Sequence, residues 1–124
     1  MVLYKWIGGM MTACDGKVKA FDAVNEPMSN NFPNELKTGN ANRDGSAKTD
    51  FFWQDYLGKD YARTVVALAR KYGPSDLKLF INDYGLESAN QNNAKCRGLI
   101  DMIKYWESDG VTKIDGIGTQ MHVS

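Results

Sequence analysis

The sequence predicts an α/β fold in which parallel strands alternate with helices, and three observations carry that expectation. Short apolar, β-branched runs stand out at residues 18–25, 77–83 and 114–123. The two stretches between them place apolar residues at helical steps of three and four. Each apolar run also ends in polar side chains: Asn25-Glu26, Asn82-Asp83-Tyr84 and Gln120-Met121-His122.

Residues 3–14 read as a short helix weakened by Gly8 and Gly9. The first strand follows at 18–25 and stops at Pro27, which has no N–H for a strand ladder. All three runs are nearly continuously apolar at their centres, as strands buried on both faces are. Residues 29–49 then break the rhythm with a polar stretch rich in Asn and Gly. A loop of that length is uncommon unless functional or disordered. It reads equally as a substrate-side loop beside Glu26 or as a flexible insertion. A helix is expected over 50–72, with Trp53, Leu57, Tyr61, Val65, Leu68 and Tyr72 as its apolar stripe. Asp50 would cap it and Gly73-Pro74 would end it. After the second strand, a helix over 92–108 carries Cys96, Leu99, Ile100, Ile103 and Trp106, and Gly110 closes it. Gly116 and Gly118 lie inside the third strand and point to close packing there, of a helix or of a barrel interior.

This order implies right-handed crossovers between parallel strands. Three such strands make a poor complete domain, so the chain is expected to be a piece of a larger barrel or sheet. Its outer strands would then present edges that invite self-association. The 124 residues carry 15 basic and 15 acidic side chains, which argues against a nucleic-acid partner. No apolar run reaches the roughly 20 residues of a membrane span, and the N-terminus lacks the pattern of a signal peptide. Cys14 and Cys96 have no metal-ligand spacing and read as free thiols; neither a metal nor a cofactor is expected.

In a parallel sheet the three polar strand ends converge on one side. A glutamate, two asparagines, a tyrosine, a glutamine and a histidine would form a cleft of hydrogen-bonding groups with an aromatic wall. Sugars suit such a cleft, having many hydroxyls to satisfy and flat C–H faces to stack. Phosphate does not: there is no Gly-rich phosphate loop, and no Lys or Arg lies at a strand end. Taken singly, each residue has a plainer reading. Glu26 reads also as a helix cap or ion-pair partner, Asp83 as a turn cap, Tyr84 as core, and His122 as a packing residue.

Three motifs sharpen this picture. Phe21-Asp22-Ala23-Val24-Asn25-Glu26-Pro27, Leu79-Phe80-Ile81-Asn82-Asp83-Tyr84-Gly85-Leu86-Glu87 and Ile114-Asp115-Gly116-Ile117-Gly118-Thr119-Gln120-Met121-His122 resemble three successive strands of the glycoside hydrolase family 10 xylanases. The resemblance implies a fold that is part of a (β/α)8 TIM barrel, from about the end of its third helix to its sixth strand, so that residues 1–124 form a partial catalytic domain. It implies that Glu26 is the general acid/base of a retaining endo-β-1,4-xylanase and that Asn25 binds the sugar 2-hydroxyl beside the scissile bond. Tyr84 would lie on the leaving-group side. Gln120 and His122 match the sixth-strand pair, whose histidine orients the nucleophile; Asn82 and Asp83 would support these groups from behind. Gly85 stands where most relatives have Asn, and Phe21 where Trp is usual.

The family nucleophile is a glutamate on the seventh strand, expected beyond Ser124. The resemblance therefore implies a xylan or xylo-oligosaccharide partner and, because xylan is a polymer too large to import, a secreted or periplasmic parent. Two other readings stand beside it: a non-catalytic half-barrel that binds glycan or self-associates, and an unrelated doubly wound protein holding a small ligand at its strand ends.

Overall fold

In the computed structural model, which describes residues 2–39 and 51–121, the chain runs α1 (Val2–Cys14), β1 (Ala20–Asn25), α2 (Trp53–Leu57), α3 (Tyr61–Tyr72), β2 (Lys78–Tyr84), α4 (Ala94–Glu107) and β3 (Gly116–Gln120). The strands form one parallel sheet in the order β1-β2-β3. Asn25 lies opposite Asn82, and Tyr84 opposite Gln120, so the polar strand ends are level with one another.

One face of the sheet is buried, not both. Along β2 burial alternates: Leu79, Ile81 and Asp83 are fully buried, while Lys78, Phe80, Asn82 and Tyr84 on the other face are not. A single helix layer supplies the cover. Leu3, Ile7 and Met11 of α1, Val65 and Val66 of α3, and Leu99 and Trp106 of α4 share one core with Leu79 and Ile81. Gly116 and Gly118 open the uncovered face. A Cβ at Gly116 would stand 2.7 Å from the Phe80 ring, and one at Gly118 would stand 2.8 Å from Asn82 Oδ1. The two glycines thus make room for side chains of the neighbouring strand, not for a helix.

Several elements depart from expectation. α1 runs unbroken through Gly8 and Gly9, because Leu3, Ile7 and Met11, one turn apart, anchor its buried face and Tyr4 meets Tyr72 edge to face at 5.4 Å. The helix expected over 50–72 is two helices. Gly58, at φ 81, ends α2, and α3 begins after Asp60. The break has a use: the Lys59 carbonyl accepts the Trp106 indole N–H at 2.8 Å. Leu57 consequently lies on the surface, and the buried side of α3 is Tyr61, Ala62, Val65, Val66 and Ala69. The expected cap Asp50 lies outside the described residues. α4 begins at Ala94 behind a 3-10 turn at Asn90–Asn92, and Ile100 is exposed on it. β3 ends at Gln120, two residues before His122, which lies outside the described residues.

Two arginines of α3 bind the layers. Arg63 donates to the carbonyls of Tyr105 and Trp106 in the last turn of α4, where carbonyls lack i+4 helical donors. Arg70 donates to the Leu77 and Lys113 carbonyls and to Asp115 at 2.6, 2.8 and 2.7 Å. The Arg70 guanidinium, helped by the Leu79 N–H, holds the Asp115 carboxyl below the usual carboxylate range. Cys14 and Cys96 are free and half-buried.

Candidate active site

The site begins at the end of β1. The register slips between Asp22 and Val24, a bulge-type irregularity that sets Asn25 opposite Asn82. Glu26 follows with φ 53, a left-handed backbone that costs a non-glycine residue roughly 1–2 kcal/mol. Its N–H still donates to the Asn82 carbonyl at 2.6 Å. In a regular strand, consecutive side chains point to opposite faces. Here both reach one partner: Gln120 Nε2 lies 2.9 Å from Glu26 Oε1 and 3.4 Å from Asn25 Oδ1. Asn82 Nδ2 completes the group by donating to Asn25 Oδ1 at 2.7 Å.

Asp83 works on the buried side. Its carboxylate accepts the Met28 N–H at 3.1 Å and the Tyr84 N–H at 2.8 Å, and it pairs with Lys95 at 3.0 Å. The chain just past Glu26 is thereby tied to the end of β2. Burial, with the Asp83 charge adding to it, pushes the Tyr61 phenol well above its ordinary range, so that group stays neutral. Tyr84 is half-exposed. Its hydroxyl accepts from Asn30 Nδ2 at 2.6 Å, and the Lys95 ammonium lies 3.7 Å from its ring centre while donating to Asn30 Oδ1 at 2.8 Å.

The polar segment up to Gly39 is held by backbone pairing and by side chains of α2. Met28 and Leu36 form an antiparallel bridge, Ser29 N–H donates to the Glu35 carbonyl, and Lys37 N–H to the Pro27 carbonyl. From α2, Gln54 donates to the Lys37 carbonyl at 3.0 Å, and Asp55 accepts from Thr38 and the Gly39 N–H. The result places the Lys37 ammonium 3.7 Å from Glu26 Oε2 and 4.9 Å from the centre of the Tyr84 ring. Residues 40–49 of the expected loop lie outside the described residues. A groove of about 440 Å³ runs from apolar side chains between α1, α3 and β1, among them Leu3, Ile7, Met11 and Leu79, to Asn25, Glu26, Lys37 and Trp53 beside the carboxylate. A smaller one of about 240 Å³ lies past Tyr84, between Asn30, Gly85, Ser88, Gln91 and Lys95.

Asn25, Glu26, Asn82 and Gln120 therefore meet directly, Tyr84 and Asp83 join them through Lys37, Lys95 and Met28, and His122 lies outside the described residues. Among the described residues no Lys or Arg stands at the carboxyl end of a strand, yet two ammonium groups reach the site from outside the sheet. Lys37 arrives from the loop and Lys95 from the first turn of α4, neither on a strand. The sequence signal for Lys37 was faint: a lysine directly after Leu36, the residue that pairs with Met28.

A carboxyl group fixed by an amide, flanked by an ammonium and open to a groove can give or take a proton from a molecule lying there. Its position at the carboxyl ends of parallel strands is where barrels of alternating strands and helices carry their working groups. Residues 1–124 match the family model described as glycosyl hydrolase family 10, and the chain belongs to that family. Endo-1,4-beta-xylanase A of Phanerodontia chrysosporium is 36% identical over 113 residues, covering 91% of this chain and 23% of the relative. Endo-1,4-beta-xylanase 3 of Hypocrea jecorina is 37% identical over 109 residues, covering 88% of this chain and 26% of the relative. The chain thus spans about a quarter of the length of these curated relatives. Among solved structures, the intracellular xylanase TsXylA of Thermoanaerobacterium saccharolyticum superimposes with a TM-score of 0.72 at 27% identity, covering 96% of this chain and 33% of that one. A point mutant of that enzyme has been solved in complex with xylotetraose. The fold is accordingly part of a (β/α)8 barrel.

Proposed function

We propose that the complete polypeptide carrying this segment is a retaining endo-β-1,4-xylanase in which Glu26 is the general acid/base. The observation that carries the reading is the Glu26 carboxyl itself: held by Gln120 at 2.9 Å on a left-handed backbone, beside an open groove. In a retaining glycosidase two carboxyl groups stand about 5–5.5 Å apart. Glu26 gives its proton to the glycosidic oxygen as the bond to the anomeric carbon breaks. A second carboxylate, supplied by a part of the barrel outside this segment, bonds to that carbon. Water then displaces it while Glu26 takes the water's proton back. Asn25, braced by Asn82, is suited to the hydroxyl beside the reacting carbon, and Tyr84 to the sugar that leaves. By its place in the third motif, His122 is assigned to orienting the second carboxylate. A polymeric substrate argues for action outside the cytoplasm. Incubating the complete polypeptide with β-1,4-xylan and with β-1,4-glucan tests the proposal. Reducing-sugar release about tenfold or more faster from xylan is expected, and no release from xylan would refute it.

A further inference from the structure

We propose that Lys37 is a sugar-binding residue on the leaving-group side of Glu26, donating from its ammonium to a hydroxyl of the sugar that lies against Tyr84. This rests on the hydrolase reading above and adds a residue to it. The geometry is specific. The ammonium neighbours both the proposed proton donor and the aromatic ring, 3.7 Å from Glu26 Oε2 and 4.9 Å from the Tyr84 centroid. The space beside those two groups is where a sugar must sit if Glu26 protonates its glycosidic oxygen and Tyr84 supports its ring.

The side chain is also held there. Lys37 is pinned at both its N–H and its carbonyl, by Pro27 and Gln54, and Asp55 fixes the two residues that follow. Only 11% of its side chain is exposed, so its charge is largely stripped of water. An ammonium has three N–H donors, and at 3.7 Å the Glu26 oxygen is beyond ordinary hydrogen-bond length. Donor capacity therefore remains. The other lysine at Tyr84 makes the contrast: the Lys95 ammonium is committed to Asp83 and Asn30 at 3.0 and 2.8 Å.

The arrangement also has a sequence in time. While Glu26 carries its proton, Lys37 faces no carboxylate there, and a sugar hydroxyl becomes its best acceptor. Once the proton has passed to the leaving oxygen, the newly formed carboxylate draws the ammonium back. The departing sugar loses its donor at the moment it must leave.

Binding reads this directly. In the complete polypeptide, Glu26→Gln blocks proton transfer and leaves an uncharged side chain in place of the protonated acid. Titration calorimetry with xylotetraose then reports affinity alone. Adding Lys37→Met is expected to raise Kd about tenfold, and Lys37→Arg in the same background to stay within about threefold of Glu26→Gln. Should Lys37→Met fail to fold, Lys37→Gln removes the charge with a polar side chain and is expected to show the same direction of loss. A Kd unchanged within about twofold in a folded Lys37→Met or Lys37→Gln protein would overturn the role of Lys37 alone. A Glu26→Gln protein that binds no xylotetraose would overturn the hydrolase reading and this role with it.

Discussion

At Glu26 a left-handed backbone carries a carboxylate where glycine would be at ease, whereas Gly85, at φ 70 just past β2, is a glycine in such a position. The strain at Glu26 is intelligible if the twist is what turns its carboxyl toward Gln120 and the groove. It also makes a prediction that does not depend on activity. Glu26→Ala and Glu26→Gly both remove the contacts with Gln120 and Lys37, but only glycine relieves the backbone. After allowing for glycine's greater freedom in the unfolded chain, the Gly variant is expected to be more stable than the Ala variant by about 0.5–1 kcal/mol in urea unfolding of the complete polypeptide. An Ala variant as stable as the Gly variant would show the strain to be absent. Residues on strands were legible before the structure: Pro27 marks the end of a ladder, and the carboxylate before it follows. Lys37 was not. No periodicity governs a polar loop, and its place depends on a bridge to Met28 and on Gln54 and Asp55 of α2, contacts between segments with no sequence signature.

Among the elements, α4 and the loop after Glu26 pack backbone to backbone at Gly98. A Cβ there would fall onto the Pro33 carbonyl oxygen, with Asn34 Cα 3.3 Å away. In a solvent-exposed helix interior, glycine to alanine gains about 1 kcal/mol. Here the sign reverses. Gly98→Ala is expected to destabilise by roughly 1–3 kcal/mol, because backbone on backbone cannot yield as a flexible side chain can. Chemical denaturation of the variant against the parent measures it, and a gain in stability would contradict the packing. The same contact ties Pro33 and Asn34 of this loop to α4. Element existence was legible from the apolar steps; two boundaries were not. α1 survives two glycines because tertiary packing outweighs their local cost, and the expected single helix at 50–72 breaks at Gly58 because Lys59 is needed by Trp106. Leu57 and Ile100 fell on the apparent stripes and lie outside, since a stripe drawn by steps of three and four does not say which of its margins faces the sheet.

For the molecule as a whole, three parallel strands covered by helices on one face form a segment of a barrel wall. The alternating polar and aromatic side chains of β2 and the glycines of β3 look away from the helices. The apolar runs call for cover on both faces, and the described residues contribute one helix layer, which covers one of them. The convergence of strand ends, by contrast, was legible from topology alone, since parallel strands bring their carboxyl ends together whatever lies between them. In the proposed function, this convergence makes Glu26 a proton donor to a leaving sugar. The most direct test compares Glu26→Gln with the parent, in the complete polypeptide, on xylo-oligosaccharides and on aryl xylobiosides whose activated leaving groups need little protonation. A loss in kcat/KM of about 10²–10⁴-fold is expected on the oligosaccharides, with a far smaller one on the activated aryl substrates. An equal loss on both would contradict the proton-donor role.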